Sequence, residues 1–288
     1  MRHGSLNEWP GRKAALVERG VDYRDYLERL RHWEPIAHFS QYGVVQEGGQ
    51  SYPLVCLTTP GSRELVLTAG FHGEEPAGPL TLLGRFGEIA EYAREHDVAL
   101  RVFPCINPSG FEGGHRYNAS GEQPNNDFLR YEVSPGVFAD EVAVGQPFLG
   151  WSVTEGTPKE TLALRHELER HPPPVGALDL HQDAWVKSAC FYAYHFGDPA
   201  PYRALVQESV AHAKVAIHLA VHNLLRTDRC GLIVHHDGSN SDWFHRRGVP
   251  HVAVLETTTH NPLASCHALN LTWVRGFIRL VASERQAH

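Results

Sequence analysis

Apolar and polar positions along the chain change their period several times. Between residues 13 and 33, Leu16, Val17, Tyr23, Tyr26, Leu27 and Leu30 recur at helical spacing and build one apolar face. Gly20 and Asp22 interrupt that run, which predicts two short helices with Asp22 as the candidate N-cap of the second. The period then shortens. YPLVCLTT (52–59) and ELVLTAG (64–70) read as strands, and Pro60-Gly61-Ser62 between them predicts a hairpin. A helix follows over 76–96, with Pro76 in its first turn. ALRVFPCIN (99–107) is the next strand. TPKETLALRHELERH predicts a helix capped by Thr157, with Glu160 three residues on completing a capping box. VGALDLH (175–181), ACFYAYHF (189–196) and PHVAVLET (250–257) are further strands, and 201–222 and 263–284 are amphipathic helices.

Near-continuous apolar strands alternating with helices predict an α/β fold: a mixed, mostly parallel twisted sheet with helices on both faces. Residues 108–157 carry many Gly, Pro, Asn and Ser and little periodicity. A loop of that length inside a domain is usually functional or disordered. The pattern divides the chain into an N-terminal helical extension, 1–45, and a main domain, 46–288, without internal repeats.

Composition narrows the function classes. The chain has 288 residues, 42% apolar and 20% charged, enough to bury a sizeable core. A net charge of −7 gives no support to a nucleic-acid partner. No run of about 18 apolar residues occurs, and MRHGSLNEWPGRK lacks the apolar centre of a signal peptide. The expectation is a cytoplasmic protein with no membrane partner. Five widely spaced cysteines form no C-x-x-C pair, which argues against a disulfide framework or cysteine-bound zinc. Histidine is abundant, at 20 residues, so a lone histidine proves nothing.

The polar residues that matter collect where strands end. ELVLTAG runs into Phe71-His72, RVFPCIN into Pro108-Ser109-Gly110, GALDL into His181, and VAVL into Glu256. In an open α/β sheet, sites form outside the carboxyl ends of strands, so these distant residues can meet. His72-x-x-Glu75 offers two ligands from one tight loop, and His181 supplies a third. Two histidines and one glutamate on zinc leave a fourth position for water, the mark of a catalytic site. The metal lowers the pKa of that water towards about 7. A nearby carboxylate must then move its proton, and Glu256 is the candidate. Singly, H-x-x-E is a chance motif and a strand-end histidine is usually a packed one; the joint pattern carries the weight.

GFHGEEPAG (70–78), INPSGFEGGHRYNASGEQPNNDF (106–128), ALDLHQD (177–183) and GSNSDWFHRRGVPHVAVLET (238–257) fall in an order and spacing similar to those of the zinc metallocarboxypeptidases, the funnelin superfamily. That superfamily includes the succinylglutamate desuccinylase and aspartoacylase branch. The resemblance covers about residues 50–260. It implies one zinc per chain, held by His72, Glu75 and His181, with Glu256 as general base and then acid. It implies that Arg116 polarises the scissile carbonyl and stabilises the oxyanion. Asp179, on the same strand face as His181, is placed to orient it from behind, with a turn or capping carboxylate as the alternative. Asp183 is a second polar candidate in that loop. Asp242-Trp243 stands where the family has Asp-Trp, and the Trp243 ring is expected to pack the pocket wall.

Two positions depart from the family. Its Asn-Arg pair reads Asn125-Asn126, so the arginine that grips a terminal carboxylate in a bidentate fork is replaced by a short neutral side chain. Arg130 is the first substitute, with Arg226, Arg229, Arg246 and Arg247 behind it. The family's tyrosine position falls on Val234, leaving Tyr117, Tyr192, Tyr194, His235 and His236 open as replacements. Ser241 occupies a specificity position, and a small hydroxyl there favours neither a strongly apolar nor a strongly charged pocket.

The expectation is a metallopeptidase-like amide hydrolase acting on a peptide or a small N-acyl amino acid. Strict C-terminal trimming is in doubt. A deacylase and a degenerate, ligand-binding family member are the alternatives. The roughly 30 residues after Glu256 read as one helix, closer in size to a peptidase than to a deacylase with a closing domain. The pattern does not give the oligomeric state.

Overall fold

The computed structural model describes residues 21–154, 158–221 and 225–284. The chain runs α1 (Tyr23–Leu30), β1 (His38–Glu47), β2 (Gln50–Thr58), β3 (Arg63–Ala69), α2 (Ala77–Glu95), β4 (Val98–Phe103), α3 (Pro108–Gly113), β5 (Arg130–Ser134), β6 (Val137–Ala139) and β7 (Gly150–Ser152). It continues with α4 (Lys159–Glu169), β8 (Gly176–Asp183), β9 (Cys190–Phe196), α5 (Ala200–Ser209), β10 (Lys214–Val215), β11 (Leu232–Ile233), α6 (Asn240–Arg246), β12 (His251–Thr258) and α7 (Leu263–Ser283).

Among the described residues, nine strands form one sheet in the order β1-β2-β4-β3-β8-β12-β9-β10, with β11 also paired to β9. The centre, β4-β3-β8-β12, is parallel, and β9 returns antiparallel to β12. The predicted mixed, mostly parallel α/β sheet is therefore what the chain forms. β8 is buried at every position, as a strand covered on both faces must be.

Period-two alternation sorts the central strands into two faces. On one, Leu65, Leu67, Leu178, Leu180, Ala253 and Leu255 share a core with Phe86 and Ile89 of α2 and Trp273 and Phe277 of α7. On the other, Val66, Ala177 and Val252 pack with Trp243 and Phe244 of α6 and Leu164 and Leu168 of α4. Toward the carboxyl ends this second face turns polar: Thr68 on β3, Asp179 and His181 on β8, and Glu256 on β12. No described helix is long and apolar enough to cross a membrane.

Several elements differ from the sequence pattern. β2 and β3 are not a hairpin, because β4 lies between them and the two edges of β3 are taken by β4 and β8. The hairpin partner of β2 is β1, through Gly48 and Gly49, both at positive φ as a two-residue type I′ turn requires. β1 starts at His38, so the sheet begins inside the stretch set apart as an extension. Tyr23, Tyr26 and Leu30 of α1 also belong to the main core. Asp22 caps α1 as expected, accepting from the Asp25 amide at 3.0 Å; the helix before Gly20 lies outside the described residues. The 201–222 helix stops at Ser209, and Val215 pairs with Phe191 as a strand instead. The aperiodic 108–157 stretch holds α3 and a three-stranded sheet, β6-β5-β7.

Thr157, the expected cap, lies outside the described residues. Glu160 is buried and accepts from Asn118 Nδ2 at 3.1 Å, tying α4 to the loop that carries Arg116. Burial pushes the Glu160 carboxyl up to about 6, against the Asn118 hydrogen bond, with Glu47 and Glu122 adding to the rise. The folded chain therefore binds this proton more tightly than the unfolded chain, whose value is near 4.5. Stability from this group is present below that value and is lost as pH rises through about 6, by about 2 kcal/mol. Urea unfolding at pH 4.5 and 7 should show Glu160→Gln gaining about that much on the wild type between the two conditions. An unchanged difference would contradict it.

Candidate metal centre

The loop after β3 is shaped by its glycines. Gly70 sits at φ +70°, and a Cβ on Gly73 would lie 1.9 Å from the carbonyl carbon of Gly110, so the loop passes against α3 with no room for a side chain. Asn107 locks the approach. Its amide donates to the Phe71 carbonyl at 3.1 Å and the Arg116 carbonyl at 3.2 Å, while its oxygen caps α3 through the Gly110 amide at 2.9 Å. One buried side chain thus joins the His72 loop to the Arg116 loop. An asparagine immediately before Pro108 at a helix start was a legible N-cap signal; its second duty was not.

His72, Glu75 and His181 converge. All three are buried, and one ligand atom from each lies within 4.8 Å of the others. Glu75 Oε1 is 2.7 Å from His72 Nδ1, and Oε2 is 2.9 Å from His181 Nδ1. The Gln182 amide donates to Oε2 at 3.0 Å, which fixes the carboxylate against β8. Asp179 Oδ2 lies 3.0 Å from His181 Nε2, so the ring's Nε2–H is donated backwards and Nδ1 faces Glu75. Burial pushes the Glu75 carboxyl up, but the two imidazoles outweigh it and hold it well below the usual range. Burial pulls His181 down, yet the Asp179 and Glu75 carboxylates together raise it well above the ordinary value. In His72 burial prevails and lowers it. Two imidazole nitrogens and a carboxylate in one buried cluster, one ring backed by a second carboxylate, are the donor chemistry that suits zinc.

Glu256 is the neighbour of this cluster. It is the register partner of His181 on one side and of Tyr192 on the other. Its Oε2 is buried with no hydrogen-bond partner among the described residues. Burial raises its carboxyl well above 4.5, the carboxylates of Glu75 and Asp183 add to that, and His181 and Arg116 oppose it. Arg116 Nη1 lies 3.4 Å from Glu75 Oε1 and 3.8 Å from Glu74 Oε1. Asp183 turns to Tyr192, whose hydroxyl donates to Oδ2 at 2.7 Å, and the Tyr194 ring packs beside it at 5.8 Å.

The expected substrate wall is assembled only in part. Asn125 is half-buried, its Oδ1 without a partner among the described residues, and Asn126 is exposed, its Oδ1 accepting from Gln123. Ser241 is buried at the start of α6. Trp243 is 1% exposed, packs on Phe128 and carries the Arg247 guanidinium on its face, so it supports the wall from the core. Arg130, on β5, pairs with Asp140 at 2.7 Å, both exposed. Arg246 is bound to the Tyr131 hydroxyl and near Asp242. Asp242 also accepts from the Gly238 amide and the Tyr131 hydroxyl and meets His236 Nδ1 at 3.0 Å. Sequence reasoning missed Tyr131, whose partner lies 111 positions away.

No family profile matches the chain. Over 119 residues, 36% of this chain, it is 29% identical to Carboxypeptidase 2 of Trichophyton rubrum; that match spans 22% of the relative's length. The likeness to solved structures is far longer. A proposed metallopeptidase of Shewanella amazonensis superposes at TM-score 0.68, with 26% identity over 91% of this chain and 93% of that one. One from Shewanella baltica gives 0.70, at 24% identity over 90% and 91%. A metallo-carboxypeptidase from Burkholderia cenocepacia gives 0.60, at 14% identity over 90% of this chain and 68% of that one. The chain has the fold of these metallopeptidases and metallo-carboxypeptidases. Its polar cluster stands outside the carboxyl ends of the parallel strands, where loops from several strands meet.

Proposed function

We propose that this protein is a zinc-dependent hydrolase of amide bonds, acting on a peptide or a small N-acyl amino acid, with His72, Glu75 and His181 as the metal ligands. The observation that carries it is the meeting of that buried triad with Glu256, four residues drawn from three strand ends. When bound, zinc supplies a Lewis acid that polarises a carbonyl and acidifies water. Glu256 takes the proton from the attacking water and returns it to the leaving nitrogen. Asp179 keeps the His181 tautomer that leaves Nδ1 free to ligate. Arg116, held at the rim by Glu74 and Glu75, places a permanent cation where a carbonyl oxygen gains charge.

Zinc content and turnover test this together. The purified chain should carry about one zinc, and activity on a panel of dipeptides, N-acyl amino acids and peptidoglycan fragments should vanish on chelation and return with zinc. Absence of stoichiometric zinc would remove the proposal. Arg116→Ala should lower kcat by roughly 10²-fold with zinc content unchanged.

Recognition of a free carboxylate is weakly provided for. Asn126 is neutral, and Arg130, Arg246 and Arg247 are engaged elsewhere. Substrates ending in a carboxamide should therefore be cleaved within about tenfold of the matching acids. A preference for the acid of 10³-fold or more, read as kcat/KM, would show an anion clamp that this arrangement lacks.

A further inference from the structure

Asp179, the carboxylate behind His181, has only one oxygen in use. Its Oδ2 meets His181 Nε2, while Oδ1 has no partner among the described residues, although the side chain is 1% exposed. A buried carboxylate oxygen without a donor is costly. A second orphan stands beside it. Asn240, also 1% exposed, opens α6; its Nδ2 lies 3.3 Å from Thr68 Oγ1, and its Oδ1 has no partner among the described residues. Thr68 is the register partner of Asp179, so the two side chains stand next to each other on the sheet face that α6 covers. Two buried acceptors thus flank one hydroxyl, with no donor given to either.

Turning the Asn240 carboxamide by about 180° lets its oxygen accept from the Thr68 hydroxyl and frees its NH2 to donate to a second acceptor. Helix capping does not compete for this side chain. Ser239 is the N-cap of α6 and accepts from the Asp242 amide at 3.4 Å.

We propose that Asn240 is a positioning residue for His181: its carboxamide donates to Asp179 Oδ1, directly or through one water, and fixes the carboxylate that sets the ring's tautomer and aim. The inference rests on the metal-ligand assignment above and extends it to a residue 59 positions away in sequence. It also joins the metal cluster to the pocket wall, because Asn240 precedes Ser241 and Asp242 on the same helix start.

The test is zinc affinity, measured by chelator competition on full-length Asn240→Leu and Asn240→Ser, alongside the folding midpoint of each metal-free protein. Leu abolishes the donor, and its zinc dissociation constant should rise roughly 10–100-fold. Ser retains a hydroxyl that reaches through water and should fall between Leu and the wild type. In ¹⁵N-correlated spectra the His181 ring should hold Nε2–H in the wild type and become a tautomer mixture in Asn240→Leu. A packing role alone would move the metal-free midpoint and leave zinc affinity and tautomer untouched. Zinc affinity within twofold of wild type in whichever variant folds overturns the proposal. A wild type that binds no zinc would instead overturn the ligand assignment itself, and this inference with it.

Discussion

Glu256→Gln will keep its zinc and lose its chemistry. The substitution preserves shape and removes only the ability to hold and release a proton, so the His72–Glu75–His181 cluster should load with zinc as before. General acid–base groups contribute on the order of 10²–10⁴ in rate, and kcat should fall by that factor. Because Glu256 Oε2 makes no hydrogen bond to the described residues, the amide should not break a structural contact. It also relieves a buried carboxyl whose burial opposes ionisation, so thermal stability should hold or rise. The measurements are zinc by mass spectrometry, kcat on the best panel substrate, and Tm. Retained turnover would transfer the base role elsewhere. Loss of zinc together with activity would make Glu256 a supporting group of the metal cluster.

The second large effect is expected at a residue with no side chain. Gly73→Ala places a methyl 1.9 Å from the Gly110 carbonyl carbon and 2.2 Å from its oxygen, both backbone atoms that cannot step aside. The loop between His72 and Glu75 must lift away from α3, and a ligand pair three residues apart cannot absorb that shift. Overpacking of this kind costs about 1–3 kcal/mol. The larger consequence is functional: zinc affinity should fall by 10²-fold or more, and activity with it. Gly121→Ala is the control, since a Cβ there meets nothing within 4 Å and only its positive φ is penalised. Equal zinc affinity in Gly73→Ala and the control would mean that the loop repacks freely.

The chain's own pattern fixed more of the site than of the sheet. Residue type and spacing were enough to nominate His72, Glu75, His181 and Glu256, because zinc and proton transfer accept few side chains and open sheets place them at strand ends; Arg116 was nominated only by the resemblance of its loop. The positions of β3, β4, β8, β9, β12, α2 and α7 were likewise legible, since each carries its own apolar period. Strand pairing was not. A period of two says which residues face inward, not which strand lies alongside, and β4 takes the place beside β3 that a short Pro-Gly-Ser turn seemed to promise to β2.

Side-chain duty was decided later still. Arg130 lies as near in sequence to Phe128 as an anion clamp would, yet β5 carries it to Asp140. Glu160 is also held by Asn118, 42 positions away, which its spacing in the sequence does not announce. Asn107 and Asn240 look like ordinary polar residues until Phe71, Arg116 and Thr68 come within reach. Local sequence sets what a residue is able to donate or accept. Which partner it meets depends on contacts between segments tens to hundreds of positions apart, and those exist only once the sheet has closed its register.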